Sequence, residues 1–331
     1  VLARLRARAE HLAGAARSAA RRSHEPARTS DGVLVHVAAN VGSVEDARLA
    51  AQHGADGAGL VRTEFLFLGR DRAPDVEEQE AVYRSVAEAL GGQRMTLRTL
   101  DVGGDKPLPY VTTPAEANPF LGLRGLRLSL AVPGLLAEQL LAVVRVARDT
   151  PVSLMFPMVT TVDELLAARR ELDAAVTRAG GPPPSGLRVG MMVEVPAAAL
   201  KTAAFAPHVD FFSVGTNDLT QYALATERGN PAVAALSDAL DPGVLRLVAA
   251  VCAGAGAADV AVCGELAAEP EATALLLGLG VRELSVAPRT VAPVKSAVRE
   301  VETAAAAVRA AHALTADSST AVRALLRASG G

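Results

Sequence analysis

The feature that most limits what this chain can fold into is a rhythm of short apolar runs. Eight recur: Val33–Val37, Gly57–Val61, Met95–Leu100, Val152–Phe156, Leu187–Val193, Val209–Val214, Val260–Cys263 and Glu283–Val286. Each is followed by a polar or glycine-bearing loop and then a helical pattern. The helical stretches include Val44–His53, Glu77–Leu90, Leu135–Arg148, Val162–Arg178, Ala197–Ala204, Val244–Ala257 and Ala272–Gly278. Several runs are apolar almost throughout, as expected of strands covered on both faces of a parallel sheet. Eight strand–helix units predict an α/β chain closed as a (β/α)8 TIM barrel. An open doubly wound sheet is the alternative, but no G-x-G-x-x-G follows the first run, which argues against its dinucleotide-binding form.

The length of 331 residues suits one barrel or two smaller domains. The pattern favours a helical leader or linker over residues 1–30, broken at Pro26–Gly32, and a single barrel over 31–331. Residues 101–134 interrupt the rhythm with a Gly/Pro-rich excursion after the third strand, where functional loops tend to lie. Gly180–Gly186 reads as an inert turn at the opposite end, and Val291–Ala328 as two Ala-rich helices.

Composition narrows the function classes. With 33 Lys+Arg against 36 Asp+Glu the net charge is −3, so no basic field argues for nucleic acid. Two cysteines cannot form a disulfide scaffold and suggest a reducing, cytoplasmic setting. No run of about 18 apolar residues and no signal-peptide core argue against membrane insertion. Lysine occurs only at Lys106, Lys201 and Lys295, so arginine carries nearly all the positive charge. Arginine abundance is therefore a compositional bias, and only the placement of an arginine is informative.

Placement is informative at the ends of the runs. Barrel active sites sit at the C-terminal ends of the strands. Here the second run leads into Arg62-Thr63-Glu64, the third holds Arg98 and ends at Asp101, and the fifth ends at Glu194. The sixth ends at Asn217-Asp218 and the seventh at Cys263-Gly264-Glu265. A carboxylate just after an apolar strand must be paired, hydrogen-bonded or metal-bound. Glu194 and Asp218 each suit a helix cap or an arginine partner, and together they suit Mg2+, which prefers oxygen ligands. Arg62, Arg98, Arg124 and Arg228 fit a substrate carrying phosphate and carboxylate, or else ion pairs with Glu64, Asp101, Asp105 or Glu227. Ion pairing is a weaker account of Arg98, which lies inside an apolar run. Cys252 reads as a core residue. Cys263 reads equally as a small buried hydrophobe or as a proton donor at the mouth. None of the six histidines follows a strand, so no histidine nucleophile is evident.

Ordered motifs connect these positions. Gly59-Leu60-Val61-Arg62-Thr63-Glu64-Phe65-Leu66-Phe67, Arg98 through Pro107 and Asn118-Pro119-Phe120-Leu121-Gly122-Leu123-Arg124 come first. Met155-Phe156-Pro157-Met158, Met192 through Ala198, Asp210 through Tyr222 and Cys263-Gly264-Glu265 follow. From about residue 27 to about 290 this series resembles the PEP-binding domain of enzyme I of the bacterial sugar phosphotransferase system, the phosphoenolpyruvate–protein phosphotransferase family.

The resemblance implies a barrel that binds phosphoenolpyruvate (PEP) and Mg2+ and supports phosphoryl transfer to a histidine on a separate upstream domain, releasing pyruvate. It implies Glu194 and Asp218 as metal ligands, and Arg62, Arg98, Arg124, Arg228, Asn217 and Asp218 as substrate contacts. Cys263 would be the acid that protonates the enolate carbon. Implied partners are a phosphohistidine domain, the phosphocarrier protein and a second copy of the chain. Three departures stand out. No Gly-Gly-x-Thr-Ser-His motif occurs, Asp241 replaces an expected histidine, and Ala268-Glu269 replaces the usual Gly-Asp. The PEP/pyruvate domain of a pyruvate phosphate dikinase or PEP synthase shares the Asn-Asp and Cys-Gly-Glu motifs. A non-catalytic PEP-sensing module is the remaining alternative.

Overall fold

Parallel strands need long crossovers, and this chain supplies a helical one between nearly every pair. The computed structural model describes residues 14, 18–104 and 108–328. After a two-residue strand β1 (Ala27–Arg28) come β2 (Leu34–Val41), β3 (Ala58–Arg62), β4 (Met95–Arg98), β5 (Val152–Phe156) and β6 (Arg188–Val193). β7 (Phe211–Val214), β8 (Asp259–Val262) and β9 (Glu283–Val286) complete the set. β2 to β9 lie side by side in chain order, and β9 pairs back onto β2 in parallel, His36 opposite Glu283 and Ala39 opposite Val286. The sheet is closed, and the expected (β/α)8 barrel is the fold.

The apolar runs owe their pattern to this closure. Every residue of β5 and of β7 is buried, because one face meets the barrel interior and the other meets the helices. Inside the barrel Leu60, Met155, Met192, Phe211 and Cys263 form a small apolar cluster, separate from the large core between strands and helices. Leu60, Met192 and Cys263 of this inner plug also line the cavity at the C-terminal mouth. Side-chain caps place the starts of two crossover helices. Asp75 and Glu78 form one capping box ahead of Val76–Ala89, and Thr161 and Glu164 another ahead of Val162–Ala179.

The structure departs from expectation in several places. β2 runs on to Val41, four residues past Val37. β4 stops at Arg98 instead of Leu100, because the Leu100 N–H leaves the ladder for Oε1 of Gln139 at 2.9 Å. Ala197–Ala204 divides into helices Pro196–Leu200 and Thr202–Phe205, where the Thr202 hydroxyl bonds back to the Ala199 carbonyl at 2.9 Å. Val291–Ala328 holds three helices rather than two: Val291–Glu300, Thr303–Thr315 and Ser319–Ala328. Val301 and Glu302 are extended, and the Glu302 carboxylate caps the restart by accepting from Ala304 and Ala305. Most of the leader lies outside the described residues. Its C-terminal part is tied to the barrel: β1 pairs antiparallel with β2, and the buried Lys295 reaches the Glu25 carbonyl (3.4 Å) and Oδ1 of Asp56 (2.6 Å).

Candidate active site

The strand ends converge as the barrel requires. A cavity of about 230 Å³ at the C-terminal mouth is lined by all eight residues singled out from the sequence: Arg62, Arg98, Arg124, Glu194, Asn217, Asp218, Arg228 and Cys263. Arg62 ends β3, Arg98 ends β4, Glu194 follows β6, and Asn217 and Asp218 open the helix Thr216–Leu224 after β7. No histidine lines this mouth among the described residues.

Three of the four arginines are ion-paired in this state. Arg98, at the base, bonds Oε1 of Glu64 (3.1 Å) and Oδ2 of Asp101 (3.2 Å). Arg124 bridges Oδ2 of Asp101 (3.2 Å) and Oδ1 of Asp218 (3.0 Å). Its guanidinium also stands 5.7 Å from the centre of the Phe120 ring and donates to the Tyr222 hydroxyl at 3.2 Å. Arg228 reaches Oδ2 of Asp218 at 3.6 Å. Glu227, the expected alternative partner, bonds Asn230 instead, and Asp105 lies outside the described residues. Burial disfavours the charge on Arg98 and Arg124, yet their acidic neighbours outweigh it and raise both. Arg62 has no ion pair or hydrogen bond among the described residues. The Nε of buried Arg98 is likewise unpartnered among them.

Glu194 is the exception among the acids. It is 1% exposed, and Oε1 accepts a 2.7 Å bond from the Met158 N–H, but no salt bridge reaches it among the described residues. Burial, then the charges of Asp101 and Asp218, push its carboxyl up to about 8. At neutral pH it therefore favours its protonated form. Cys263, 4% exposed, follows β8 and lines the same cavity beside Gly264. Burial pushes its thiol up to about 11, so it holds its proton at neutral pH. A Cβ on Gly264 would collide with the Thr216 hydroxyl, so glycine lets the cysteine turn close onto the start of the helix that carries Asn217 and Asp218. Asn217 secures the same junction by exchanging two hydrogen bonds with Glu265, at 2.9 and 3.1 Å.

The sequence offered Glu64 and Asp101 as arginine partners, with ion pairing the weaker account of Arg98, but not how they are shared: Asp101 holds both Arg98 and Arg124. Glu64 also accepts the Asp101 N–H at 2.9 Å, so one carboxylate fixes both the arginine and the turn after β4. Gln139, inside an apolar helix, donates to the Thr63 and Tyr83 hydroxyls, and Thr63 in turn donates to the Arg98 carbonyl. A glutamine among the apolar, buried positions of the helix Pro133–Val146 was the available signal. Asn40 braces the cysteine turn through the Cys263 carbonyl at 3.1 Å and is itself held by Ser285 at 2.8 Å. Asp241, the departure from the expected histidine, caps the helix Pro242–Gly254 by accepting from Gly243.

A closed parallel barrel with four arginines, the carboxyls of Glu194 and Asp218 and a protonated thiol at its C-terminal mouth has the features of an enzyme domain. The match to known proteins is more specific. Residues 16–303 match the PEP-binding domain of PEP-utilising enzymes, and the chain belongs to that family. It is 48% identical over 311 residues to the phosphoenolpyruvate-protein phosphotransferase of Haloferax volcanii, covering 92% of this chain and 55% of that one. It is 46% identical over 320 residues to the multiphosphoryl transfer protein of Xanthomonas campestris (96% and 38%). To the phosphoenolpyruvate-protein phosphotransferase of Haemophilus influenzae it is 43% identical over 294 residues (87% and 51%). The chain thus spans about half, or less, of the length of these relatives.

Proposed function

We propose that this mouth binds phosphoenolpyruvate and supports transfer of its phosphoryl group to a histidine on a separate domain, releasing pyruvate. That is the first step of the sugar phosphotransferase system, with the phosphocarrier protein as next acceptor. The observation that carries the reading is the convergence of Arg62, Arg98, Arg124 and Arg228 with Glu194 and Cys263 on one cavity. The phosphotransferase names of the relatives favour it over a dikinase or synthase.

Arg62, which has no ion pair or hydrogen bond among the described residues, is the first anchor for an incoming anion. Arg124 and Arg228 both lean on Asp218 and can exchange that contact for phosphate and carboxylate oxygens, with the Asn217 amide beside them. Arg98 is held from behind by Glu64 and Asp101, so its charge is already oriented when substrate arrives.

The donor set fits Mg2+. Glu194 and Asp218 are oxygen ligands only, and a cation would offset both the burial and the neighbouring acids that raise Glu194. Mg2+ held by one or two carboxylates usually completes its shell with water and substrate phosphate oxygens. When bound, Mg2+ would supply charge stabilisation to the phosphoryl and enolate oxygens.

In the transfer the bond from phosphorus to the enol oxygen breaks, and a new bond forms to an imidazole nitrogen. The electron pair left on oxygen makes pyruvate enolate, stabilised by the arginines. The Cys263 thiol then gives its proton to the methylene carbon, forming pyruvate, and recovers one from water.

The reading extends to a homodimer in the cytoplasm. No helix among the described residues is long and apolar enough to cross a membrane. Titration calorimetry tests the core claim. PEP should bind in the presence of Mg2+ and bind weakly or not at all with chelator. Labelled PEP should leave no phosphohistidine on this chain alone, while a phosphohistidine domain supplied in trans should restore pyruvate formation. Absence of Mg2+-dependent PEP binding would revive the alternative of a non-catalytic sensing or interaction module.

A further inference from the structure

The C-terminal helix Ser319–Ala328 touches the active-site loops from a direction the family match does not cover, since that match ends at residue 303. Val322 and Leu326 are buried and seat the helix on the core. Arg323, next to Val322, projects between two loops. Its Nη2 and Nε grip the Asp238 carboxylate in a fork, at 2.9 and 3.2 Å. Its Nη1 faces Oε2 of Glu269 at 3.7 Å.

The two acids belong to the two segments that frame the mouth. Asp238 lies in the long loop after helix Thr216–Leu224, which carries Arg228. From residue 229 to 239, the side-chain bonds to any other element go to this C-terminal helix, among the described residues, through Arg323 and Ser319. Glu269 ends the short helical turn Glu265–Ala268 that follows Cys263-Gly264. Glu269 is also one of the positions where the chain departs from the motif it resembles, and Asp238 lies three residues ahead of the other, Asp241. Asp241 hydrogen-bonds back to the Asp238 carbonyl at 3.0 Å. Arg323 thus pairs with Glu269 and Asp238, and Asp241 joins them through a backbone hydrogen bond.

We propose that Arg323 is a positioning residue that holds the Arg228 loop and the Cys263 turn in register across the mouth. This rests on the reading of that mouth as a PEP site. Arginine suits the role because its planar fork engages one carboxylate with two N–H groups and leaves a third for the other. With the clamp removed, the two loops sample arrangements in which Arg228 and Cys263 no longer face the same ligand, and affinity falls with the fraction of time that both are in place.

The test combines hydrogen exchange with PEP calorimetry, in Mg2+, on the full chain and on R323A, R323K and D238N. In R323A, exchange should quicken in both 226–240 and 263–269 while β5 and β7 stay protected. PEP should bind roughly 3- to 10-fold more weakly. R323K should recover protection of one loop only, because an ammonium cannot fork between both acids. D238N carries the same test for the Arg228 loop if R323A fails to fold. Unchanged exchange in either loop of R323A, or unchanged PEP affinity with both loops loosened, would overturn the proposal. A wild-type chain that takes up no PEP would sink the functional reading instead, and the clamp would then stand or fall on exchange alone.

Discussion

The backbone N–H of Met158 donates to Oε1 of Glu194 at 2.7 Å, from a residue held in the left-handed region at φ 55°. That conformation costs a non-glycine residue about 1–3 kcal/mol and persists only where its surroundings enforce it. Here it aims a donor at the one mouth carboxyl that lacks a salt bridge among the described residues. The bond is not enough to keep Glu194 ionised, since burial and the charges of Asp101 and Asp218 push it up to about 8.

A pH dependence follows from that shift. The group is an acid raised in the folded state above its ordinary value of 4.5. The folded chain therefore keeps a proton that the unfolded chain releases, and metal-free stability should fall as pH rises from about 4.5 to about 8. Thermal unfolding in chelator at pH 5 and pH 8.5 measures it. Adding Mg2+ should flatten the slope, and Glu194→Gln should remove both the slope and the Mg2+ response. An equal slope in the glutamine variant would show that another group is responsible.

Cys263 should behave as a protected acid. Because burial raises its thiol to about 11, alkylation by iodoacetamide at pH 7 should be far slower than for a free thiol, and slower again with PEP bound. Cys263→Ala should bind PEP within about threefold of the parent and lose most pyruvate formation with the phosphohistidine domain, since positioned proton donors typically contribute about 10²–10⁴-fold. A matching loss of affinity would argue for a binding role.

Arg124 stands between two buried carboxylates, so its removal leaves Asp101 to Arg98 and Asp218 to the longer contact with Arg228. Arg124→Met should destabilise the chain by roughly 3–5 kcal/mol and abolish measurable PEP binding. Arg124→Lys should recover stability better than binding, because a point charge cannot replace a fork. Chemical denaturation beside calorimetry separates the two effects.

Lys295 is 0% exposed and paired to Asp56, whose other oxygen accepts the Val37 N–H at 2.9 Å. Asp56→Ala strands that ammonium and should cost about 3–5 kcal/mol. Adding Lys295→Met to it should give back a good part of the loss, since an apolar replacement removes the stranded charge. A double variant as unstable as Asp56→Ala would mean that the Val37 bond, not the ion pair, matters most.

Much of the fold could be read in advance, for physical reasons. Strands such as β5 and β7 are buried on both faces, which leaves unbroken apolar runs, and an arginine inside one of them, Arg98, stands out at once. Most of the mouth residues were also readable, because they lie in a run or within four residues of its end, whereas Arg124 and Arg228 sit in loops farther on. The way their supports are shared was not. The service of Asp101 to Arg124 joins positions 23 apart through a loop whose path no local pattern encodes. The helix restart at Glu302 rests on one side chain turning back to two N–H groups, a choice invisible in an alanine-rich stretch. Arg323 looked like one more arginine among many until Asp238 and Glu269 were seen on either side of it.

The seam between β2 and β9 has a consequence in time. The partners His36 and Glu283 are far apart along the chain, so the ring cannot shut until nearly all of it is available, and loop-closure entropy opposes the event until then. Asn40, Cys263 and Ser285 meet across that same seam. The cysteine turn should thus be among the last parts to acquire its final shape. A folding chain halted before β9 would expose two unpaired strand edges, at β2 and β8, as a template for aggregation.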